Sequence, residues 1–209
     1  MQAFALNGTL DSRDTFVNRL LKKDSNLVVM DLPATSLSRL RQITEDYDLV
    51  KVAGNAGYRM TILAPITPYD DSILDLRDAI ALIDPVAYEG FKTLYTAKAT
   101  PAEFDAARTP TRVDYVAIVN LGLADDRTDF RLWDAPDAFT RRLLAFVGGR
   151  EIEMPRLRPR VAALLACHRL GFAAGEHSEH IDLADRSRLE KWNVAAEAAL
   201  RGAGDLLGF

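Results

Sequence analysis

The chain has 209 residues, 48% hydrophobic and 27% charged, a composition typical of a globular protein with one sizeable core. Its 26 basic and 30 acidic residues give a net charge of −4, which argues against nonspecific nucleic-acid binding by the whole surface. The apolar stretches are shorter than the roughly 20 residues of a membrane helix, and no signal peptide is apparent.

The single cysteine, Cys167, cannot form an internal disulfide, so we expect a reducing, cytoplasmic compartment. With one cysteine and three histidines, a closed structural zinc site is not expected. No linker or repeat divides the chain, and we therefore predict one domain over residues 1–209.

Apolar periodicity predicts strands that alternate with helices. The predicted strands are, in chain order, Met1–Asn7, Asn26–Met30, Met60–Ala64, Asp114–Asn120 and Glu151–Met154. The predicted helices run from Asp11 or Ser12 to Lys23, from Ser36 or Thr35 past Ile43, from just after Asp70-Asp71 to Ile83, from Phe139 to Val147, from Val161 to Leu170 and from Asp185 to Leu207. This alternation predicts an α/β fold with a mostly parallel sheet of about five strands and helices on both faces.

Breakers and polar runs predict the connections between these elements. Pro65 is expected to close the third strand, and Gly148-Gly149 to end the fourth predicted helix. We expect Pro85–Arg112 to form helical pieces and loops on the surface, and Asp125–Asp137 to form a polar loop.

Four segments, in this order, resemble the ParA/MinD-type (deviant Walker) P-loop ATPases. NLVVMDLPA at 26–34 is similar to the strand that ends in the magnesium-side Asp, and TILAPITPYDDSILDLRDAIALI at 61–83 is similar to a strand and helix joined by a Pro-containing loop. VDYVAIVN at 113–120 resembles the strand whose final Asn contacts the base, and GREIEMPRL at 149–157 resembles the late strand whose Pro lies near the adenine. The resemblance implies a P-loop NTPase-like fold.

The resemblance also implies a nucleotide site, although no G-K-[ST] phosphate loop occurs in the chain. It assigns magnesium to Asp31 and the base to Asn120 and Pro155, with ATP and magnesium as the implied cofactors. Each residue also has a simpler interpretation: Asp31 as a cap of the following turn, Asn120 as a turn residue and Pro155 as a strand terminator.

The N-terminus departs from the family pattern and permits two interpretations. In the preferred one, Met1–Asn7 is the first strand and Gly8–Thr15 is a decayed phosphate loop, in which Gly8 and Thr15 keep their places and Asp14 stands where lysine should be. A carboxylate at that position would repel phosphate. In the other, Met1–Asn7 corresponds to the second strand of the family and the phosphate loop is absent.

Three further groups of residues are candidates for chemistry. Cys167 and His168 are adjacent on a predicted helix and point about 100° apart, which favours a buried cysteine beside a surface histidine over a catalytic pair. GEHSEH at 175–180 does not meet the helical zinc pattern and predicts a solvated loop. Arginines around the last strand favour a solvated rim, with phosphate or nucleic acid as the alternative; they are Arg141, Arg142, Arg150, Arg156, Arg158 and Arg160.

Three functional hypotheses follow. The preferred one is a degenerate ParA/MinD-like protein that has lost normal hydrolysis and acts as a binding or regulatory module, as a homodimer or with a protein partner, in plasmid maintenance or conjugation. The second is an active ATPase with an unconventional or truncated phosphate loop. The third is an unrelated α/β enzyme that uses strand-end carboxylates, with Asp31, Asp70 and Asp71 as candidate acids.

Overall fold

A computed structural model describes residues 2–5, 17–23, 25–31, 37–108 and 111–207, and these residues form an α/β fold. The strands are β1 (Gln2–Ala5), β2 (Val28–Asp31), β3 (Thr61–Ile66), β4 (Asp114–Asn120) and β5 (Arg150–Met154). The first helix, α1, is described over 17–22. The other helices are α2 (Leu37–Tyr47), α3 (Leu49–Asn55), α4 (Asp70–Ile83), α5 (Pro85–Thr96), α6 (Pro101–Ala106), α7 (Arg131–Asp134), α8 (Phe139–Phe146), α9 (Pro159–Cys167), α10 (Phe172–Gly175) and α11 (Leu183–Arg201).

The described strands form two hydrogen-bonded sheets, where the sequence predicts one sheet of about five strands. One sheet holds β1 and β2, and the other has the order β3-β4-β5. The β1–β2 and β4–β5 pairs are parallel, as predicted, with Ala5 opposite Asp31 and Asn120 opposite Met154. The α/β class is therefore confirmed.

The described chain divides into two compact units that do not follow chain order. Unit 1 comprises residues 1–62 and 77–114, and unit 2 comprises residues 63–76 and 115–209. Each unit is built from two separated stretches of the chain, so the division is not a boundary between two consecutive domains. The single-domain prediction stays a prediction.

The core of unit 1 is formed by helices that pack on the side chains of β2. Val17, Leu20, Leu40 and Ile43 are buried together with Leu49. Leu40 and Ile43 are three residues apart on α2, so the helical period brings both side chains to one face. This pattern is the one that predicts α2 from the sequence, whereas α3 was not predicted.

In unit 2, β4 is covered on both faces. Tyr115, Val116, Ala117 and Val119 are all fully buried although successive strand side chains point to opposite faces. Beside β4, Ile152 of β5 packs in a cluster completed by the chain that follows α11. The apolar sequence of β4 therefore reports a strand that is buried on both sides, as predicted.

Two connections differ from the predictions. Pro65 lies inside β3, which continues to Ile66, because β3 is the edge of the described sheet and an edge strand tolerates a residue without a backbone N–H. The predicted polar loop over 125–137 contains α7, whose Trp133 is fully buried. By contrast, the chain leaves α8 at Gly148 with a left-handed φ of 71°, as expected of a glycine that ends a helix.

Within the described residues, no helix is long and apolar enough to cross a membrane.

Candidate functional site

A polar cavity of about 740 Å³ opens in unit 2 where the three strands of its sheet end. Tyr69 reaches it from the loop after β3, Gly122 from the turn after β4, and Arg156 from the chain after β5. Ligands of open α/β sheets bind in the crevice outside the carboxyl ends of the strands. We therefore take this crevice as the candidate functional site.

A second, apolar cavity of about 280 Å³ also has Gly122 in its lining, so the two cavities adjoin. Its other lining residues are Asn120, Met154, Pro155, Leu157, Ala162, Leu165, Leu170, Phe172 and Trp192. Asn120 and Pro155 are 35 positions apart in the sequence, and the parallel register of β4 and β5 brings them together. The two residues that the resemblance assigns to the base thus meet at one cavity.

The Asn120 side chain performs the turn role that its position predicts. Its Oδ1 accepts a hydrogen bond from the Gly122 N–H at 3.0 Å and begins a short 3-10 turn, Leu121–Leu123. With the oxygen engaged, the Nδ2 amino group is the part of this side chain that can donate to a ligand.

An aromatic wall closes the apolar cavity on the side of α11. The Trp192 indole N–H donates to the Pro155 carbonyl at 2.7 Å, which fixes the ring against the chain after β5. The rings of Phe172 and Trp192 are tilted by 37°, with centroids 4.7 Å apart. Such a wall can hold a flat, apolar ring by stacking.

Three of the four charged residues that line the polar cavity are joined to one another by hydrogen bonds. Arg156 Nη1 lies 3.3 Å from the Asp125 carbonyl oxygen and 3.5 Å from its Oδ1. Asp129 Oδ2 accepts the Asp125 N–H at 2.7 Å. Arg131 also lines the cavity and is exposed, and no carboxylate among the described residues lies within 4.0 Å of its guanidinium. Arg131 is therefore the cation of this cavity that could bind an anion.

A network of ion pairs anchors the segment that carries Arg131. Asp134 Oδ1 accepts from Arg127 Nη2 at 2.6 Å and from Arg141 Nη1 at 3.0 Å. Glu151 Oε1 accepts from Arg127 Nη2 at 2.7 Å, and its Oε2 accepts from Trp133 Nε1 at 3.0 Å. The network ties α7 to β5, and so the position of the exposed Arg131 is set by buried and paired neighbours.

The same network separates the pKa values of its acid and base. The hydrogen bond from Arg127 lowers the pKa of Asp134 against the opposing effect of burial. The same hydrogen bond to Asp134 raises the pKa of Arg127 above its ordinary value. Both groups are therefore charged at neutral pH.

The structure does not test the other site residues that the resemblance assigns. Gly8, Asp14 and Thr15 lie outside the described residues. Asp31 is the last residue of β2, and the structure describes its backbone in the pairing with Ala5. Whether Asp31 binds a metal stays a prediction.

Asp70 and Asp71, the candidate acids of the enzyme hypothesis, occupy the first turn of α4 and are exposed. Acidic side chains there complement the helix dipole. Neither lines the two cavities of the crevice, so this position agrees with their simpler interpretation as residues that stabilise the helix start.

Cys167 is exposed, and the prediction of a buried cysteine is wrong. The buried face of α9 is formed by Val161 and Leu165. Two residues beyond Leu165, a side chain points about 200° around the helix and thus toward solvent. The adjacent His168 stacks on His180, with ring centroids 4.4 Å apart, a contact that the sequence did not predict.

No group of three metal-ligating side chains occurs in the part of the chain that the structure describes. Several arginines around the last strand make ion pairs: Arg141 with Glu151, Arg156 with Asp125, and Arg160 with both Asp182 and the buried Asp185. These pairs agree with a solvated rim, and nucleic-acid binding through the arginines stays a prediction.

Sequence reasoning missed four contributors to the crevice, namely Tyr69, Arg131, Phe172 and Trp192. The helical spacing of Trp192 in the last predicted helix indicates an inward-facing side chain, but spacing alone does not distinguish a cavity wall from the core. Comparisons with protein-family models, curated proteins and solved structures find no match for this chain.

Proposed function

We propose that this chain is a ligand-binding module that holds the base of an adenine nucleotide in the apolar cavity of unit 2, without normal hydrolysis. The single P-loop NTPase-like sheet, the dimer or protein partner, the cytoplasmic location and a role in plasmid maintenance or conjugation belong to the same proposal. These parts rest on the resemblance of the sequence to the ParA/MinD-like ATPases.

The observation that carries the proposal is the meeting of Asn120 and Pro155 at one cavity, at the carboxyl ends of two parallel strands. Asn120 supplies an amide donor at the cavity, and Trp192 supplies an aromatic surface. A purine needs both, because its edge carries hydrogen-bonding atoms and its faces are apolar.

The sizes of the cavities favour a ligand with two parts. Ligand pockets usually measure about 300–1,000 Å³. At about 280 Å³, the apolar cavity suits one ring system better than a whole nucleotide. The adjoining polar cavity, at about 740 Å³, has room for the remainder.

The absence of normal hydrolysis is proposed from the sequence. Catalysis of phosphoryl transfer depends on charge stabilisation by lysine and magnesium. The best match to the phosphate loop carries Asp14 at the lysine position. A ligand that binds here would accordingly be retained or sensed.

Calorimetric titration with adenosine and ATP, with and without magnesium, tests the proposal, and tryptophan fluorescence, to which Trp192 contributes, gives a second readout. We expect saturable adenosine binding that Asn120→Ala weakens by about tenfold, the value of one hydrogen bond that is left unmade. Asn55→Ala, at an exposed position of unit 1, is the matched control and should bind normally. Absence of adenosine binding by the wild type, or equal adenosine affinities of Asn120→Ala and Asn55→Ala, would refute the proposal.

The same titration distinguishes the proposed module without hydrolysis from the alternative of an active ATPase. Micromolar, magnesium-dependent ATP binding that Asp31→Ala abolishes, together with phosphate release, would favour an active enzyme over a module without hydrolysis.

A further inference from the structure

The polar cavity contains a cation that its own acids leave without a partner. Of its charged residues, Asp125, Asp129 and Arg156 are joined to one another by hydrogen bonds. Within the described residues, Arg131 has no such bond. An arginine presents several N–H donors in a planar fork that fits the oxygens of phosphate or carboxylate.

The exposed Arg131 side chain is attached to a fixed backbone. Phe130 and Trp133, on either side of it in the sequence, are 1% and 0% exposed. Trp133 and Asp134 are further bound to Glu151 and Arg127 through the ion-pair network. Since its backbone is already ordered, Arg131 loses less conformational freedom on binding than an arginine of a loose loop would.

The position of Arg131 complements the apolar cavity. Gly122 lines both cavities, so a ligand whose ring lies against Trp192 can extend past Gly122 toward Arg131. Tyr69, with 68% of its surface exposed, lines the same polar cavity and adds an amphipathic side chain there. An apolar ring at one end and an anion at the other therefore describe the ligand that fits.

We infer that Arg131 binds the phosphate of a nucleotide whose base occupies the apolar cavity, an inference that rests on the proposed function. Unit 2 then holds both ends of the ligand. Recognition of this kind needs no lysine in the N-terminal segment, where Asp14 replaces it. The class of ligand is a nucleoside monophosphate, since one arginine fork matches one phosphate group.

Calorimetric titrations of the intact chain with adenosine and with adenosine monophosphate test this inference. The wild type should bind the monophosphate at least about tenfold more tightly, as expected of a charge-assisted contact. Arg131→Gln should remove that preference and leave the adenosine affinity unchanged, and Arg131→Lys should restore part of it. Arg142→Gln, at an exposed position of α8 that lines neither cavity, should keep the preference.

The possible results distinguish this inference from the proposed function. Equal affinities of the wild type for adenosine and its monophosphate would overturn the role of Arg131 while the base site stands. A monophosphate preference that survives in Arg131→Gln would do the same. If neither compound binds, the proposed function fails and the inference fails with it. Circular dichroism of each variant checks that a lost preference is not a lost fold.

Discussion

Replacing Glu151 by glutamine should destabilise unit 2 far more than the same change at Glu153, two residues along β5. Glu151 accepts hydrogen bonds from Arg127 Nη2 at 2.7 Å, from Arg141 Nε at 2.9 Å and from Trp133 Nε1 at 3.0 Å. Glu153 meets only Arg127 Nη1, at 3.3 Å, among the described residues. The pair of variants compares an enclosed acceptor with an exposed one on the same strand.

The expected loss follows from which bonds glutamine cannot make. Its amide has one acceptor oxygen, so its NH₂ group must face either the donors of Trp133 and Arg141 or the donor of Arg127. A lost charge-assisted bond costs about 1.5–3 kcal/mol, and a buried N–H without an acceptor costs about 1–3 kcal/mol. The Glu151 side chain is 25% exposed, so water can replace part of the loss. We therefore expect a decrease of about 2–3 kcal/mol in the free energy of unfolding.

For Glu153→Gln the expected change is below about 0.5 kcal/mol. The carboxylate is 51% exposed, and exposed ion pairs contribute little because water and salt screen them. Urea unfolding followed by circular dichroism measures both variants. The slope against urea should stay at the wild-type value if only the folded state is affected.

Tryptophan fluorescence, to which Trp133 and Trp192 contribute, gives an independent measure of the change at Trp133. The indole is fully buried, so its emission should shift in Glu151→Gln and stay constant in Glu153→Gln. Similar losses for the two variants, or a loss below about 0.5 kcal/mol for Glu151→Gln, would refute the view that the network holds α7 on β5.

Two other predictions concern packing and pH. Gly175→Ala should lower the free energy of unfolding by about 1–3 kcal/mol, because the new Cβ would lie 2.4 Å from Leu165 Cδ2 in a packed core. Gly90→Ala, whose Cβ would have no atom within 4 Å, should instead stabilise α5 by up to about 1 kcal/mol. Thermal unfolding measures both variants, and equal effects would contradict this prediction. Because Arg127 lowers the pKa of Asp134 below its ordinary 3.8, this carboxylate stabilises the folded state above about pH 4, and the contribution is lost as the pH falls through the lowered pKa. The stability difference between wild type and Asp134→Asn should thus be constant from pH 5 to 7 and shrink below about pH 4 in urea titrations, and a difference that grows with acid would contradict the sign.

The sequence alone predicts the helices and strands in which buried apolar residues recur at a regular spacing. The bounds of β4, Asp114–Asn120, match the prediction at both ends, and α4 ends at Ile83 as expected. In both elements the apolar residues follow the period of a strand or of a helix, so the local pattern contains the information. The same local logic places the end of α8 before Gly148.

Where a local pattern had two solutions, the tertiary structure decided between them. The sequence predicts that Pro65 ends the third strand, but a proline is also compatible with the interior of an edge strand such as β3. Whether a strand lies at the edge depends on the order of strands in the sheet. Cys167 is buried in the sequence-based prediction and exposed in the structure, because the orientation of α9 is set by what packs on Val161 and Leu165.

The candidate site was the least predictable part of this protein. Asn120 and Pro155 could be singled out from the resemblance to the ParA/MinD-like ATPases, but their meeting with Trp192, 37 residues beyond Pro155, could not. Nor could the sequence distinguish Arg131 from the arginines that carboxylates neutralise. Periodicity reports how far each residue is buried, whereas cavities and ion pairs depend on distances between residues remote in the chain. Those distances are determined only when the strands and helices pack.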